Sequence, residues 1–124
     1  MNDGGRRARG LRAESAVADY LIARGFTLLA QGLRLGKLEI DLVARLGALV
    51  AVVEVRTRGS ASWQGALASV GPRKRAHLLE ASERLWREKL AQDRGIERFR
   101  IDVAGVTFAG GETRIEYVEG AITG

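Results

Sequence analysis

The stretch Leu49–Arg58, LVAVVEVRTR, is the most apolar run in the chain and constrains the fold more than any other segment. Its valines favour an extended strand, and the run indicates a strand at the centre of a hydrophobic sheet. One residue is unusual in such a strand. Glu54 carries a carboxylate in the middle of the run, and a carboxylate is rarely buried unless it has a partner.

The segment LEIDLVAR, which precedes this run, is also rich in strand-forming residues, and Leu46-Gly47 would join the two as a hairpin loop. With a two-residue loop, Glu39 lies opposite Glu54, and Asp41 lies two residues along on the same face. Arg56 also points to this side. The hairpin therefore predicts acidic and basic side chains gathered on one face, provided that the register is not shifted by one residue.

A carboxylate in such a strand has three ways to be tolerated. Glu54 could pair with Arg56 or another arginine, it could be protonated, or it could share a hard divalent cation with Asp41. Carboxylates from neighbouring strands are the ligands that suit Mg²⁺ or Mn²⁺. Structural ion-pair networks also bury carboxylates, so the residues alone leave the choice open.

The remaining segments read as further strands and two helices. Helical spacing of apolar residues marks 11–24 and a segment that starts at Pro72 and ends near Arg94, and strand-like runs mark 26–35, 99–108 and 113–118. The order α-β-β-β-α-β-β predicts an α/β protein with one sheet flanked by helices. We expect a flexible basic arm over residues 1–9 and a single domain over 10–120.

Composition limits the classes of site and of partner. The chain has no cysteine and one histidine, which excludes disulfides, thiolate metal sites and a multi-histidine site within one chain. It has no apolar stretch long enough to span a membrane, and we expect a cytoplasmic protein. The formal net charge of +5 permits a nucleic-acid partner.

Three basic residues, Arg73, Lys74 and Arg75, follow Pro72 in the first turn of the second helix. The helix dipole favours anions at that end, so the cluster is explained if phosphate groups of a nucleic acid bind there. The alternative is a solvated basic turn without a partner. Asp102, on a later strand, is interpreted as structural, in an ion pair with Arg100 or a helix arginine.

Five segments carry a resemblance to a known family: GLRAESAVADYL, LEIDLVA, VVEVRTR, VGPRKRAHLLEASERL and FRIDVAGV. In order and spacing, over residues 10–108, they are similar to the YraN family of small bacterial proteins, which resemble Holliday-junction resolvases and restriction endonucleases. The resemblance implies a restriction-endonuclease-like core with a mixed central sheet and a PD-(D/E)xK site.

The same resemblance assigns roles to individual residues. It makes Glu14 the glutamate of the first helix, Asp41 the metal-binding aspartate and Glu54 the acidic residue of the ExK element, with Glu39 as a secondary member of the site. It implies Mg²⁺ or Mn²⁺ held by Asp41, Glu54 and the backbone carbonyl of Val55.

Arg56 departs from the nuclease pattern, because it stands where the lysine is expected. A guanidinium can contact a phosphate and stabilise developing charge, but it cannot act as a base because its pKa stays above ~12. The resemblance thus implies a metal-dependent endonuclease acting on DNA, with weak or absent cleavage left open. It also leaves a homodimer open, because symmetric cuts need two sites.

Two other functions remain open on the sequence. The chain could be a non-catalytic nucleic-acid-binding protein that keeps the nuclease-like fold, which Arg56 favours. It could also be a structural or interaction protein whose acids and arginines neutralise one another.

Overall fold

The computed structural model describes the backbone of residues 2–58 and 65–123, with side chains over 8–57 and 65–123. The regular elements, in chain order, are α1 (Asn2–Ala23), β1 (Thr27–Leu35), β2 (Leu38–Leu46), β3 (Leu49–Arg58), α2 (Pro72–Leu85), β4 (Arg98–Ala109) and β5 (Glu112–Ile122). A 3₁₀ turn at Leu67–Ser69 precedes α2, and a π-helical turn at Trp86–Leu90 extends it. The α-β-β-β-α-β-β order predicted from the sequence is confirmed.

The first helix begins earlier than its periodicity predicted. Residues 2–9, expected to form a basic arm, lie within α1, while Met1 and the side chains of residues 2–7 are outside the described part. The division into a flexible arm and a domain over 10–120 stays a prediction. None of the helices in the described ranges is long and apolar enough to cross a membrane.

The five strands form one mixed sheet in the order β1-β2-β3-β4-β5. All neighbouring strands are antiparallel except β3 and β4, which are parallel. A parallel pair needs a crossover connection, and the segment that contains α2 provides it. The mixed sheet flanked by helices is thus confirmed, with β3 at its centre.

The two helices cover opposite faces of this sheet. Ala13, Val17 and Leu21 of α1 pack in one cluster with strand residues that include Val53. Leu78 and Leu85 of α2 pack in the other, with strand residues that include Val52. Because both faces of β3 are covered, its apolar run is continuous, and the four residues 50–53 are fully buried.

The register of the β2–β3 hairpin differs from the prediction. Leu46 pairs with Leu49, so the loop is Gly47-Ala48 and not Leu46-Gly47. Gly47 has a φ of 60°, and no residue other than glycine has a positive φ in the described part, so Ala48 has a negative φ. A two-residue hairpin turn with one positive φ has glycine at its first position, as observed here. The predicted pairing of Glu39 with Glu54 is therefore wrong, because the strands are shifted by two residues.

A two-residue shift keeps the side chains of the paired residues 42–46 and 49–53 on their predicted faces, whereas a one-residue shift would reverse them. Leu42 pairs with Val53, and the next residues along this register are Asp41 and Glu54. The shift thus replaces Glu39 by Asp41 as the residue across from Glu54.

Candidate active site

The site lies where β2 and β3 stop pairing. Their last paired residues are Leu42 and Val53, although β2 extends back to Leu38 and β3 continues to Arg58. Side-chain alternation in β2 is broken here, because Ile40 and Val43 pack in the same core cluster although they are three residues apart. Asp41 occupies this break.

The carboxylate of Asp41 takes the place of a backbone partner. Its Oδ2 accepts a hydrogen bond from the backbone N–H of Val55 at 2.9 Å. That bond satisfies an amide that the diverging strand leaves unpaired, and hydrogen bonds to ionised acceptors are stronger than neutral ones. Asp41 is consequently held at the junction of the two strands, with its other oxygen outside this bond.

Glu54 lies on the face of β3 that α2 covers, because alternation along the strand puts it with Val50 and Val52. Its side chain is 3% exposed. Its Oε2 lies 3.4 Å from Nη1 of Arg56, and its Oε1 lies 3.8 Å from Nζ of Lys74. Within the described part, Oε1 is buried and has no hydrogen-bond partner.

The ion pairs and the pKa of Glu54 point in different directions. Two cations near a carboxylate favour its ionised form, yet the pKa of Glu54 is raised to about 8, first by burial and then by the charge of Asp41. A hydrogen bond with Asp41 acts in the same direction, and Lys74 and Arg56 only partly oppose the rise. The geometry agrees with the raised pKa, because both ion-pair distances are long and Oε1 lacks a donor.

Glu14 belongs to the same electrostatic neighbourhood. Its pKa is raised by burial and then by the charges of Asp41 and Glu39, while a hydrogen bond with Gln31 lowers it. The first helix therefore brings the carboxylate of Glu14 near Asp41, and its role in the site stays a prediction. Its charge acts on this pocket through Asp41.

Glu39 does not join the pocket around Glu54. It forms an ion pair with Arg34 at 3.6 Å, and both side chains are largely exposed. Exposed pairs of this kind contribute little to stability. Its predicted secondary role in the site stays a prediction that rests only on its effect on Glu14.

Two arginines, Arg56 of β3 and Arg75 of α2, are held by backbone oxygens. Nη2 of Arg56 donates to the carbonyl oxygen of Ser69 at 3.2 Å. Nε and Nη2 of Arg75 donate to the carbonyl oxygens of Val70 and Leu67 at 2.9 and 3.2 Å. These bonds connect β3 and α2 to the segment between them.

The three basic residues of the α2 turn are thus separated by the structure. Arg75 is bonded to the loop, Lys74 faces Glu54, and Arg73 is exposed. The predicted nucleic-acid-binding role of all three stays a prediction. The sequence did not indicate that Lys74 approaches Glu54, because the contact depends on where α2 begins relative to β3, twenty residues earlier.

The donor set at the junction fits a small hard cation. Two carboxylates, Asp41 and Glu54, come together from adjacent strands, and one of the four oxygens is buried without a hydrogen bond. Among the described residues, no three histidine, cysteine, aspartate or glutamate side chains form a metal-ligand group. Mg²⁺ commonly takes one or two carboxylates and keeps several waters, so two acids and the carbonyl of Val55 suffice.

A second buried carboxylate, Asp102 on β4, has very different surroundings. Its side chain is fully buried and accepts four hydrogen bonds, from Nε and Nη2 of Arg100 at 2.8 and 2.9 Å, from Tyr117 at 2.6 Å and from the backbone N–H of Gly120 at 2.8 Å. Burial, followed by the hydrogen bond with Asp102, raises the pKa of Tyr117. The predicted ion pair between Asp102 and Arg100 is confirmed.

Comparisons with known proteins give one consistent family. A family model described as "Uncharacterised protein family UPF0102" matches residues 13–106. A UPF0102 protein of Sorangium cellulosum is 50% identical over 117 residues, which cover 94% of this chain and 81% of that protein. A UPF0102 protein of Gloeobacter violaceus is 39% identical over 115 residues, covering 92% and 91% of the two chains.

A third relative, a UPF0102 protein of Anaeromyxobacter dehalogenans, is 36% identical over 121 residues. These cover 97% of this chain and 87% of that protein. The family match over residues 13–106 includes all the residues of the pocket.

Proposed function

This chain belongs to the uncharacterised protein family UPF0102, and we propose that it is a metal-dependent endonuclease that hydrolyses phosphodiester bonds in DNA. The observation that carries the proposal is the buried Oε1 of Glu54, which has no hydrogen-bond partner in the described part. A second carboxylate, that of Asp41, lies beside Glu54. Such a group is costly unless something else completes it. A divalent cation completes it, and a phosphodiester provides the further oxygen ligands that Mg²⁺ accepts.

The residues that would hold the cation are Asp41, Glu54 and the backbone carbonyl of Val55. When bound, Mg²⁺ or Mn²⁺ polarises a phosphate oxygen and lowers the pKa of a bound water. The hydrogen bond from Val55 N–H fixes Asp41, and the cover of α2 fixes Glu54, so both carboxylates are oriented before a ligand arrives. Glu14 adds negative potential from α1.

The proposed reaction consumes one water for each bond that is cut. The water oxygen forms a bond to phosphorus, and the bond from phosphorus to the leaving oxygen breaks. The water proton is released to solvent, and the leaving oxygen takes up a proton to become a hydroxyl. A positive side chain close to the phosphate stabilises the charge that builds up on its oxygens.

The substrate class follows from charge and from the nuclease resemblance. The chain carries a formal net charge of +5, and Arg73 is exposed at the start of α2, where backbone N–H groups also favour a phosphate. DNA, duplex or branched, is the proposed partner. A homodimer, which paired cuts in two strands would require, stays a prediction.

Cleavage of branched and linear DNA in Mg²⁺ and in Mn²⁺ tests the proposal. We expect the native chain to cut, and Asp41→Asn and Glu54→Gln each to lose at least about 100-fold in rate, because each removes a cation ligand. Asp19→Asn, an exposed acid elsewhere on α1, is the matched control and should keep the native rate. Equal rates in all four proteins would refute the assignment, since a contaminating nuclease would behave in that way.

A second function, DNA binding without cleavage, is favoured by the bonds of Arg56. Its guanidinium is shared between Glu54 and the carbonyl oxygen of Ser69, which leaves it poorly placed to act on a phosphate. In that case the native chain binds DNA in a salt-dependent manner and does not cut it. A chain that neither cuts nor binds DNA at low salt would exclude both functions.

A further inference from the structure

We propose that Lys74 is the catalytic cation of this site, the residue that contacts the phosphate at the bond being cut. This inference rests on the proposed endonuclease function and deepens it. It moves the cationic role from β3, where the nuclease pattern places it at position 56, to the first turn of α2. The geometry that supports it is the approach of Lys74 Nζ to within 3.8 Å of the unpartnered Oε1 of Glu54.

Arg56 is unsuited to that role because its bonds are already made. Nη1 reaches Oε2 of Glu54 at 3.4 Å, and Nη2 donates to the carbonyl oxygen of Ser69 at 3.2 Å. Both contacts would have to be broken for the guanidinium to turn to a phosphate. In this arrangement Arg56 holds the segment before α2 against the strand and is a positioning residue.

Lys74 is in the opposite condition. The one polar contact found for it in the described part is the approach to Glu54, and 3.8 Å is too long for a hydrogen bond. Its side chain is 40% exposed, so the ammonium borders both the buried carboxylate and the open surface. Its three N–H donors remain available to phosphate oxygens.

The base of this side chain is firmly held. Pro72 starts α2, and the backbone N–H of Arg75 donates to the carbonyl oxygen of Gly71 at 3.0 Å. The side chain of Arg75 also binds two carbonyl oxygens of the preceding loop. Lys74 thus projects from a fixed turn, and its flexible four-carbon stem lets the ammonium reorient, whereas the guanidinium of Arg56 is held by two bonds.

The kinetic test separates a catalytic lysine from one that only binds DNA. Single-turnover rates at saturating DNA, and DNA affinities, are measured with a four-way branched DNA and a linear duplex. We expect Lys74→Gln to lower the rate at saturation by about 100-fold, because the loss of one donor to the charge of a transition state typically has an effect of that size. Arg73→Gln, an adjacent exposed residue, should weaken DNA affinity about as much as Lys74→Gln and keep the saturated rate.

Lys89→Gln is the second control, because this lysine is exposed on the π-helical turn at the far end of α2 and should change neither quantity. The inference is overturned if Lys74→Gln behaves like Arg73→Gln, with weaker affinity and a native rate at saturation. If Lys74 merely supported the fold, Lys74→Gln would lose enough thermal stability for its unfolded fraction to explain the lower rate, and this result would also overturn the inference.

Titration with Mn²⁺ alone gives a readout that does not depend on cleavage. Removing a positive charge next to a ligand oxygen should strengthen Mn²⁺ binding, and we expect Lys74→Gln to bind about threefold to tenfold more tightly than the native chain. Arg73→Gln and Lys89→Gln should match the native affinity. Equal affinity in Lys74→Gln would overturn the inference even in a protein that cuts DNA.

The two proposals can fail separately. If the native chain binds Mn²⁺ but cuts neither DNA, the endonuclease function fails and the catalytic role of Lys74 falls with it. If the native chain cuts DNA, and Lys74→Gln keeps both the native rate at saturation and the native Mn²⁺ affinity, the function stands and the assignment of Lys74 is wrong.

Discussion

The two buried carboxylates of this sheet, Asp102 and Glu54, are the most instructive comparison in the molecule. Both lie on neighbouring parallel strands, and both are at most 3% exposed. Asp102 accepts four hydrogen bonds, one of them from a backbone N–H. Glu54 has one long contact to an arginine, a hydrogen bond with Asp41 and one oxygen without a donor. The two acids therefore differ in their partners and not in their burial, and the proposed function rests on that difference.

The two acids also differ in the charge of the groups around them. The donors around Asp102 belong to the same sheet, on β4 and β5, and they stabilise its charge without any ligand. The groups around Glu54 include another acid, Asp41, which raises its pKa. The first arrangement is complete by itself, and the second is completed by a proton or a cation.

The largest expected effect is the loss of stability in Asp102→Asn. The change removes a charge that three residues hold, and it leaves the guanidinium of Arg100, which is 21% exposed, with the exposed Glu119 at 3.6 Å as its remaining charged partner in the described part. We expect the free energy of unfolding to fall by about 3–5 kcal/mol, measured by urea denaturation at pH 7. Asp19→Asn is the exposed control and should stay within about 0.5 kcal/mol of the native value.

The pH dependence of stability should come next in size, and it concerns Glu54. Its pKa is raised from 4.5 to about 8 in the folded chain, so the folded state holds a proton that the unfolded state has lost. Stability must then decrease as the pH rises from 4.5 towards 8, by about 4 kcal/mol across this window.

This decrease is measured without divalent cations, as the difference between the native chain and Glu54→Gln at each pH. The neutral amide should remove the decrease, so Glu54→Gln should gain on the native chain by about 3 kcal/mol between pH 4.5 and pH 7, because only the native chain must keep a proton on folding that its unfolded state has lost. A native stability that rises over this window relative to the variant would mean that Glu54 is ionised and fully paired, like Asp102.

Tyr117→Phe should have a smaller effect, because it removes one of the four bonds to Asp102 and keeps the ring. The lost bond, from the Tyr117 hydroxyl to Oδ2 at 2.6 Å, is made to a buried ionised acceptor. We expect a loss of about 1–2 kcal/mol in the free energy of unfolding. Tyr20→Phe, on the ring that stacks on Tyr117 at 5.2 Å, is the matched control for the hydroxyl.

The smallest effect is expected at Glu39, which the sequence had placed opposite Glu54. Its ion pair with Arg34 is exposed, so Glu39→Gln should change stability by less than about 0.5 kcal/mol. A larger loss, in stability or in Mn²⁺ affinity, would place Glu39 in the pocket with Asp41 after all.

Much of the fold could be predicted from the sequence because its signals are local. The continuous apolar run of β3 indicated the centre of the sheet, and Pro72 marked the start of α2. The hairpin register was missed by two residues because Gly47 was placed second in the loop. A two-residue turn with a single positive φ requires glycine first, and that rule would have given the observed register.

The candidate site could be predicted from the sequence only in part. The expectation that Asp41 and Glu54 meet survived the register error, because a shift of two residues preserves the face. The parting of β2 and β3, the capture of Val55 N–H by Asp41 and the approach of Lys74 depend on how distant segments pack, and no local pattern encodes them.

If Asp41 and Glu54 together bind one small divalent cation, diffraction from crystals soaked in Mn²⁺ should show it. We expect an anomalous difference peak within about 2.0–2.6 Å of carboxylate oxygens from both residues, with Lys74 displaced from Oε1. A Glu54 side chain still paired with Arg56 and Lys74, and no peak between the two carboxylates at saturating Mn²⁺, would contradict it.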